Sequence, residues 1–69
     1  MKLYEVPRNT FVKVMEDNVH VPPGMEPIKR GDVVYFDHID GMYSYCMDKE
    51  QKNVMHLAAF TEVEIVTTV

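Results

Sequence analysis

His20, His38, His56 and Cys46 are the side chains of this chain best suited to bind a metal, with Asp37 or Asp40 as an added carboxylate. No two of them stand in a CxxC, HxxxH or HxH spacing, the patterns that bring two ligands to one ion. No metal or other cofactor is therefore expected. Cys46 and His56 could form a nucleophile pair if neighbouring strands brought them together. Such a pair also needs an orienting group, an oxyanion hole and a substrate cleft, and a 69-residue chain has little room for them. An inert, partly buried thiol is the expectation for Cys46. Gly24, Gly31 and Gly41 lie too far apart to build a phosphate-cradling loop. The chain is not expected to be an enzyme.

Binding chemistry has more to draw on. Tyr35, Tyr43, Tyr45 and Phe60 supply rings on which bases could stack, and Lys29, Arg30, Lys49 and Lys52 could border them. Seven Lys plus Arg against eleven Asp plus Glu give a net charge of −4, which repels a phosphate backbone. The competing reading places Tyr43 and Tyr45 in the core with their hydroxyls at its rim. Nucleic acid is thus disfavoured as a partner, and a protein is preferred. The six methionines serve either as core fillers or as an adaptable contact surface. The expected contact residues are Tyr35, Ile39 and Met42 on the face of a hairpin and Met25 on a loop, since aromatic and Met side chains are enriched at interfaces.

Size and composition bound the rest. The chain forms one domain at most, spanning residues 1–69. A domain of this size buries only ~60% of the surface its unfolded chain exposes. Cys46 is the single cysteine, which rules out an intrachain disulfide and points to a reducing compartment, most simply the cytoplasm. Met1–Glu5 does not read as a signal peptide. No apolar run is longer than Val33–Phe36, which is far too short to cross a bilayer as a helix. A soluble protein without a membrane partner is expected, either a monomer or a weak homodimer.

The elements that must position these residues are strands. Phe11–Met15 is rich in β-formers, and Val33–Ile39 and Met42–Met47 flank Asp40-Gly41. Asp-Gly suits a type I′ turn. With Asp40-Gly41 as the turn, Ile39 pairs with Met42, His38 with Tyr43, Phe36 with Tyr45 and Val34 with Met47. Val34, Phe36, His38, Tyr43, Tyr45 and Met47 then share the core face. Val33, Tyr35, Asp37, Ile39, Met42, Ser44, Cys46 and Asp48 share a mixed, partly wet face. A one-residue slip would exchange the two sets.

Val54–Leu57 and the alternating Glu62–Val66 complete five short strands. Glu16–Lys29, with Pro22, Pro23, Gly24 and Pro27, is one long ordered loop. Ala58–Thr61 fits a single 3-10 turn before the last strand, and Thr67–Val69 should fray. No segment shows the apolar spacing of a long amphipathic helix. The class is all-β. Glu62–Val66 could also pair edge to edge with its counterpart in another chain, a purely structural alternative.

This order of elements resembles the SH3-like small barrels: Phe11–Met15, then the long loop, then Arg30-Gly31-Asp32-Val33-Val34-Tyr35-Phe36, and Ala58-Ala59-Phe60-Thr61 before Glu62–Val66. The resemblance implies a five-stranded barrel with Val34 and Phe36 pointing inward. That family's proline-peptide groove uses a Trp at the start of the third strand, where this chain has Met42-Tyr43 and no Trp at all. Proline-rich ligands are therefore not implied. Lys2–Thr10 and His38–Tyr45 also resemble small uncharacterised proteins of tailed bacteriophages. That resemblance implies a host cytoplasm and a host or phage protein as partner, and brings no activity with it.

Overall fold

Runs of β-branched and aromatic residues become strands, because their stiff side chains pack well on a pleated surface. The computed structural model describes residues 1–17 and 19–67. Five strands form: β1 (Thr10–Val14), β2 (Val33–Asp40), β3 (Tyr43–Asp48), β4 (Val54–Met55) and β5 (Val63–Ile65). All pair antiparallel in one sheet of order β4-β3-β2-β1-β5. The all-β expectation holds, and the chain folds as an antiparallel sheet with no α-helix among the described residues.

The sheet is open, not a closed barrel: β4 and β5 are its two edges and do not pair. Strands of two and three residues are too short to curl around and meet. The outer edge of β5 is taken instead by the start of the chain. Val63 N–H donates to the Met1 carbonyl at 2.8 Å, and Leu3 N–H to Thr61 at 2.9 Å. The 3-10 turn also differs from expectation, since it lies at Leu3–Glu5. Ala58–Thr61 is a β-turn closed by Thr61 N–H to the Ala58 carbonyl at 3.0 Å. Of the expected fraying segment, Thr68 and Val69 lie outside the described residues.

The turn lies one residue beyond Asp40-Gly41, which shifts the partners by two residues next to the turn and by one beyond Asp37. Asp40 pairs with Tyr43, Ile39 with Ser44 and His38 with Tyr45, so the turn residues are Gly41 and Met42. Gly41 has φ +66°, whereas Met42 is absent from the positive-φ residues, as fits a type II′ turn rather than I′. A bulge at Asp37 then restores Phe36 to pairing with Cys46. The consequence on β3 is a reversal of faces. Ser44 and Cys46 are fully buried, while Tyr43, Tyr45 and Met47 turn to the outside. On β2 the bulge keeps Val34 and Phe36 inside, as expected, and also sends Ile39 inward against the core and His38 outward.

The inner face packs Val12, Val14, Val34, Phe36, Cys46 and Val63 against Leu3, Val6, Ile28 and Leu57. The long loop is the second layer: Ile28 is buried, Val19 and Val21 pack on the core, and Ala58 N–H donates to the His20 carbonyl at 3.0 Å. Ser44 ties β3 to the segment after β4. Its hydroxyl donates to the Leu57 carbonyl at 2.9 Å and accepts the Leu57 N–H at 3.3 Å. Removing that hydroxyl strands a buried amide. Ser44→Ala should therefore cost about 1–3 kcal/mol in chemical denaturation, with the sheet retained by circular dichroism.

Asp48 organises the turn from β3 to β4. Its carboxylate accepts the Lys52 N–H at 2.8 Å and the Asn53 amide at 2.8 Å, while Gln51 takes φ +60°. The Lys52 N–H, foremost, holds the Asp48 carboxyl below its usual pKa. A depressed folded pKa stabilises at pH above the ordinary carboxylate value and loses that contribution as pH falls through the folded value. Asp48→Ala should thus lower the melting temperature at pH 7, and the gap to wild type should narrow as the pH drops through the carboxylate range.

Candidate functional site

The reversal on β3 assembles a ring-bearing face that nothing among the described residues covers. Phe11 of β1 lies beside Tyr35 of β2 edge to face, with centroids 5.0 Å apart. The Tyr35 hydroxyl donates to Asn9 Oδ1 at 3.0 Å, which anchors the ring's far end. Met47 of β3 pairs with Tyr35, and Val54 of β4 pairs with Met47. These four residues make an apolar row that crosses four strands.

A second row lies alongside it. His38 stacks on Tyr45 with centroids 5.5 Å apart and planes only 4° from parallel. His56 meets the other side of Tyr45 edge on, at 5.2 Å. Both imidazoles are held through Nδ1, His38 by the Asp37 carboxylate at 3.0 Å and His56 by the Ser44 carbonyl at 3.0 Å. A carbonyl can only accept, so His56 donates through a proton on Nδ1. The rings are half-buried by one another and half open to solvent. The carboxylates on the strand of His38 are Asp37, bonded to His38, and Asp40, while Lys13 and Glu64 pair with each other beside Val33 at the far end of the face.

The four residues expected to form one contact patch are dispersed. Tyr35 lies in the middle of the outer face. Ile39, on the same strand, points into the core because the bulge at Asp37 intervenes. Met42 is 76% exposed at the hairpin tip. Met25 lines a depression between the loop and β4, beside Val54 and Met55. Phe11, His38, Tyr45, Met47 and His56 were absent from the expected patch. Alternation already grouped Tyr43, Tyr45 and Met47; what put them outside is the bulge at Asp37, which no local pattern signals.

Cys46 and His56 do not meet, because the thiol faces the core while the imidazole packs on Tyr45 outside. Burial pushes the Cys46 thiol up to about 11, against the opposing effects of the Ser44 hydroxyl at 3.2 Å and the bulged Asp37 amide. Among the described residues no three His, Cys, Asp or Glu side chains converge as a metal site. No helix there is long and apolar enough to cross a membrane. Comparison with protein families, curated proteins and solved structures finds nothing that matches the chain.

The thiol gives a direct check on the faces. At pH 8 Cys46 should stay unlabelled by a disulfide reagent in the native protein and react at once in guanidinium. Labelling of the native protein at the rate of a free thiol would contradict the inward placement.

Proposed function

We propose that this protein is a non-enzymatic interaction module that docks a protein partner on the outer face of its sheet. The observation carrying this reading is the uncovered pair of rows, Phe11-Tyr35-Met47-Val54 and His38-Tyr45-His56. Rigid rings and a thioether offer large contact area at small entropic cost. Strand order supports the SH3-like relationship, since β1 joins β2 and β5 in one sheet and the long loop follows β1. The resemblance to tailed-phage proteins supports a host or phage protein as the partner, met in the host cytoplasm.

A second reading, single-stranded nucleic acid, gains from the outward Tyr43 and Tyr45, which the core reading had placed inside. The charges beside the rings disfavour it. Asp37 and Asp40 would face phosphates, whereas Lys29, Arg30, Lys49 and Lys52 sit in the loop and the 48–53 turn. Edge pairing through β5 is disfavoured because Met1 already bonds Val63.

Capture from the natural cell, with and without nuclease, separates these readings. A nuclease-resistant partner should be retained by wild type and lost at least tenfold by Tyr35→Ser and by Tyr45→Ser, with melting curves confirming that both variants fold. Retention by both folded variants rejects the sheet face. Loss of the partner on nuclease treatment, with salt-sensitive binding of single-stranded DNA, selects the second reading.

A further inference from the structure

The two edges of the sheet are treated differently. At β5 the edge is covered, with Met1 and Leu3 bonded along Thr61–Val63. At β4 it is bare. Cys46 pairs with Met55, between Asp48 N–H to the Asn53 carbonyl at 3.0 Å and Ser44 N–H to the Leu57 carbonyl at 2.8 Å. Asn53, Met55 and Leu57 therefore bond inward to β3, and antiparallel alternation turns the N–H and C=O of Val54 and His56 outward. Neither residue has a backbone partner on that side among the described residues. The bare stretch ends at Ala58, whose N–H is taken by His20.

Beside this edge the long loop stands off from the sheet. Met25, Pro27 and Ile28 face Val54 and Met55 across a depression of about 320 Å³. It continues, through Ile28, Asp32 and Met55, into a second hollow of about 400 Å³ floored by Val33 and Val34. The floor is apolar and adaptable, with a methionine on either side. Its charged margin comprises Glu26, Asp32, Asp48 and Glu50 against Lys49 alone. The carboxylates of Asp32 and Asp48 are committed to backbone amides of Lys29 and Lys52, while Glu26 and Glu50 are exposed.

We propose that the β4 edge and its groove bind an extended, cationic peptide segment of a partner by strand addition. The peptide backbone bonds Val54 and His56, an apolar side chain enters between Met25 and Met55, and flanking Lys or Arg side chains meet Glu26 and Glu50. Main-chain bonds supply the affinity, and the acidic margin selects the charge. The site borders the ring-bearing face at Val54 and His56 and uses their backbone where that face uses their side chains. Loss through Tyr35 or Tyr45 and loss through Glu26 and Glu50 therefore distinguish the two.

The test uses labelled heptapeptides that alternate lysine with leucine, a glutamate-for-lysine counterpart, and a lysine peptide N-methylated on alternate backbone amides. Binding is read by anisotropy and by amide shifts in NMR. The lysine peptide should bind, shift the Val54, His56 and Met25 amides, and weaken with salt. The glutamate and N-methylated peptides should bind at least tenfold more weakly. The double variant Glu26→Lys, Glu50→Lys, confined to exposed positions, should lose at least tenfold, while the equal charge change Glu64→Lys on the far edge should not. Equal binding of lysine and glutamate peptides, shifts confined to other strands, or no binding at millimolar peptide overturns the proposal. So does a concentration-dependent dimer that buries the β4 edge against a second copy.

Discussion

Both faces of the sheet depend on one geometric constraint, the extra residue at Asp37 in β2. The turn at Gly41 and Met42 chooses the partners, and the bulge resets the parity of β2 against β3 halfway along. Without the bulge, the turn that buries Ser44 and Cys46 would have sent Val34 and Phe36 outward. With it, two small residues on β3 oppose two larger ones on β2 across the inner face. A chain this small has a thin core, and the small pair leaves room for Leu3, Ile28 and Leu57 to reach the sheet from outside it.

Polar bonds secure that arrangement because hydrophobic burial alone does not select a register. Ser44 is buried, yet its hydroxyl is spent on both backbone groups of Leu57. No side-chain polar atom buried among the described residues lacks a partner. Two tyrosines at the same depth would have needed partners for two hydroxyls as well as a larger cavity. On the outside those rings have other work. Tyr45 sits between two imidazoles, and Tyr35 is fixed by Asn9. The face that results is built of side chains already ordered by one another, so a partner meeting it has less freedom to remove.

The loop and the chain start do what a second sheet does in a sandwich, covering the inner face of an open sheet. They also treat its edges unequally. One edge carries the start of the chain, and the other runs bare beside an apolar hollow with an acidic margin. An uncovered edge is a liability unless it is short, interrupted or used. Here it is short and stops where the His20 carbonyl takes the amide of Ala58.

The all-β class, the five strands, the long Pro-bearing loop, the outward Tyr35 and the inward Val34 and Phe36 were legible in the residues alone, because alternation and β-propensity are local properties. The tertiary structure decided which side of β3 is the core. Asp40-Gly41 read as type I′ and Gly41-Met42 as type II′ are equally good local turns, and they differ by one residue. Either turn keeps Tyr43, Tyr45 and Met47 on one side together, and the bulge at Asp37, which no local pattern announces, puts that side opposite Val34 and Phe36. The bulge thus set Tyr45 and Met47 outside with Ile39, Ser44 and Cys46 inside, and so made the ring-bearing face. The openness of the sheet was likewise beyond local reading, since closure depends on whether two distant short strands meet, and here Met1 reaches β5 first.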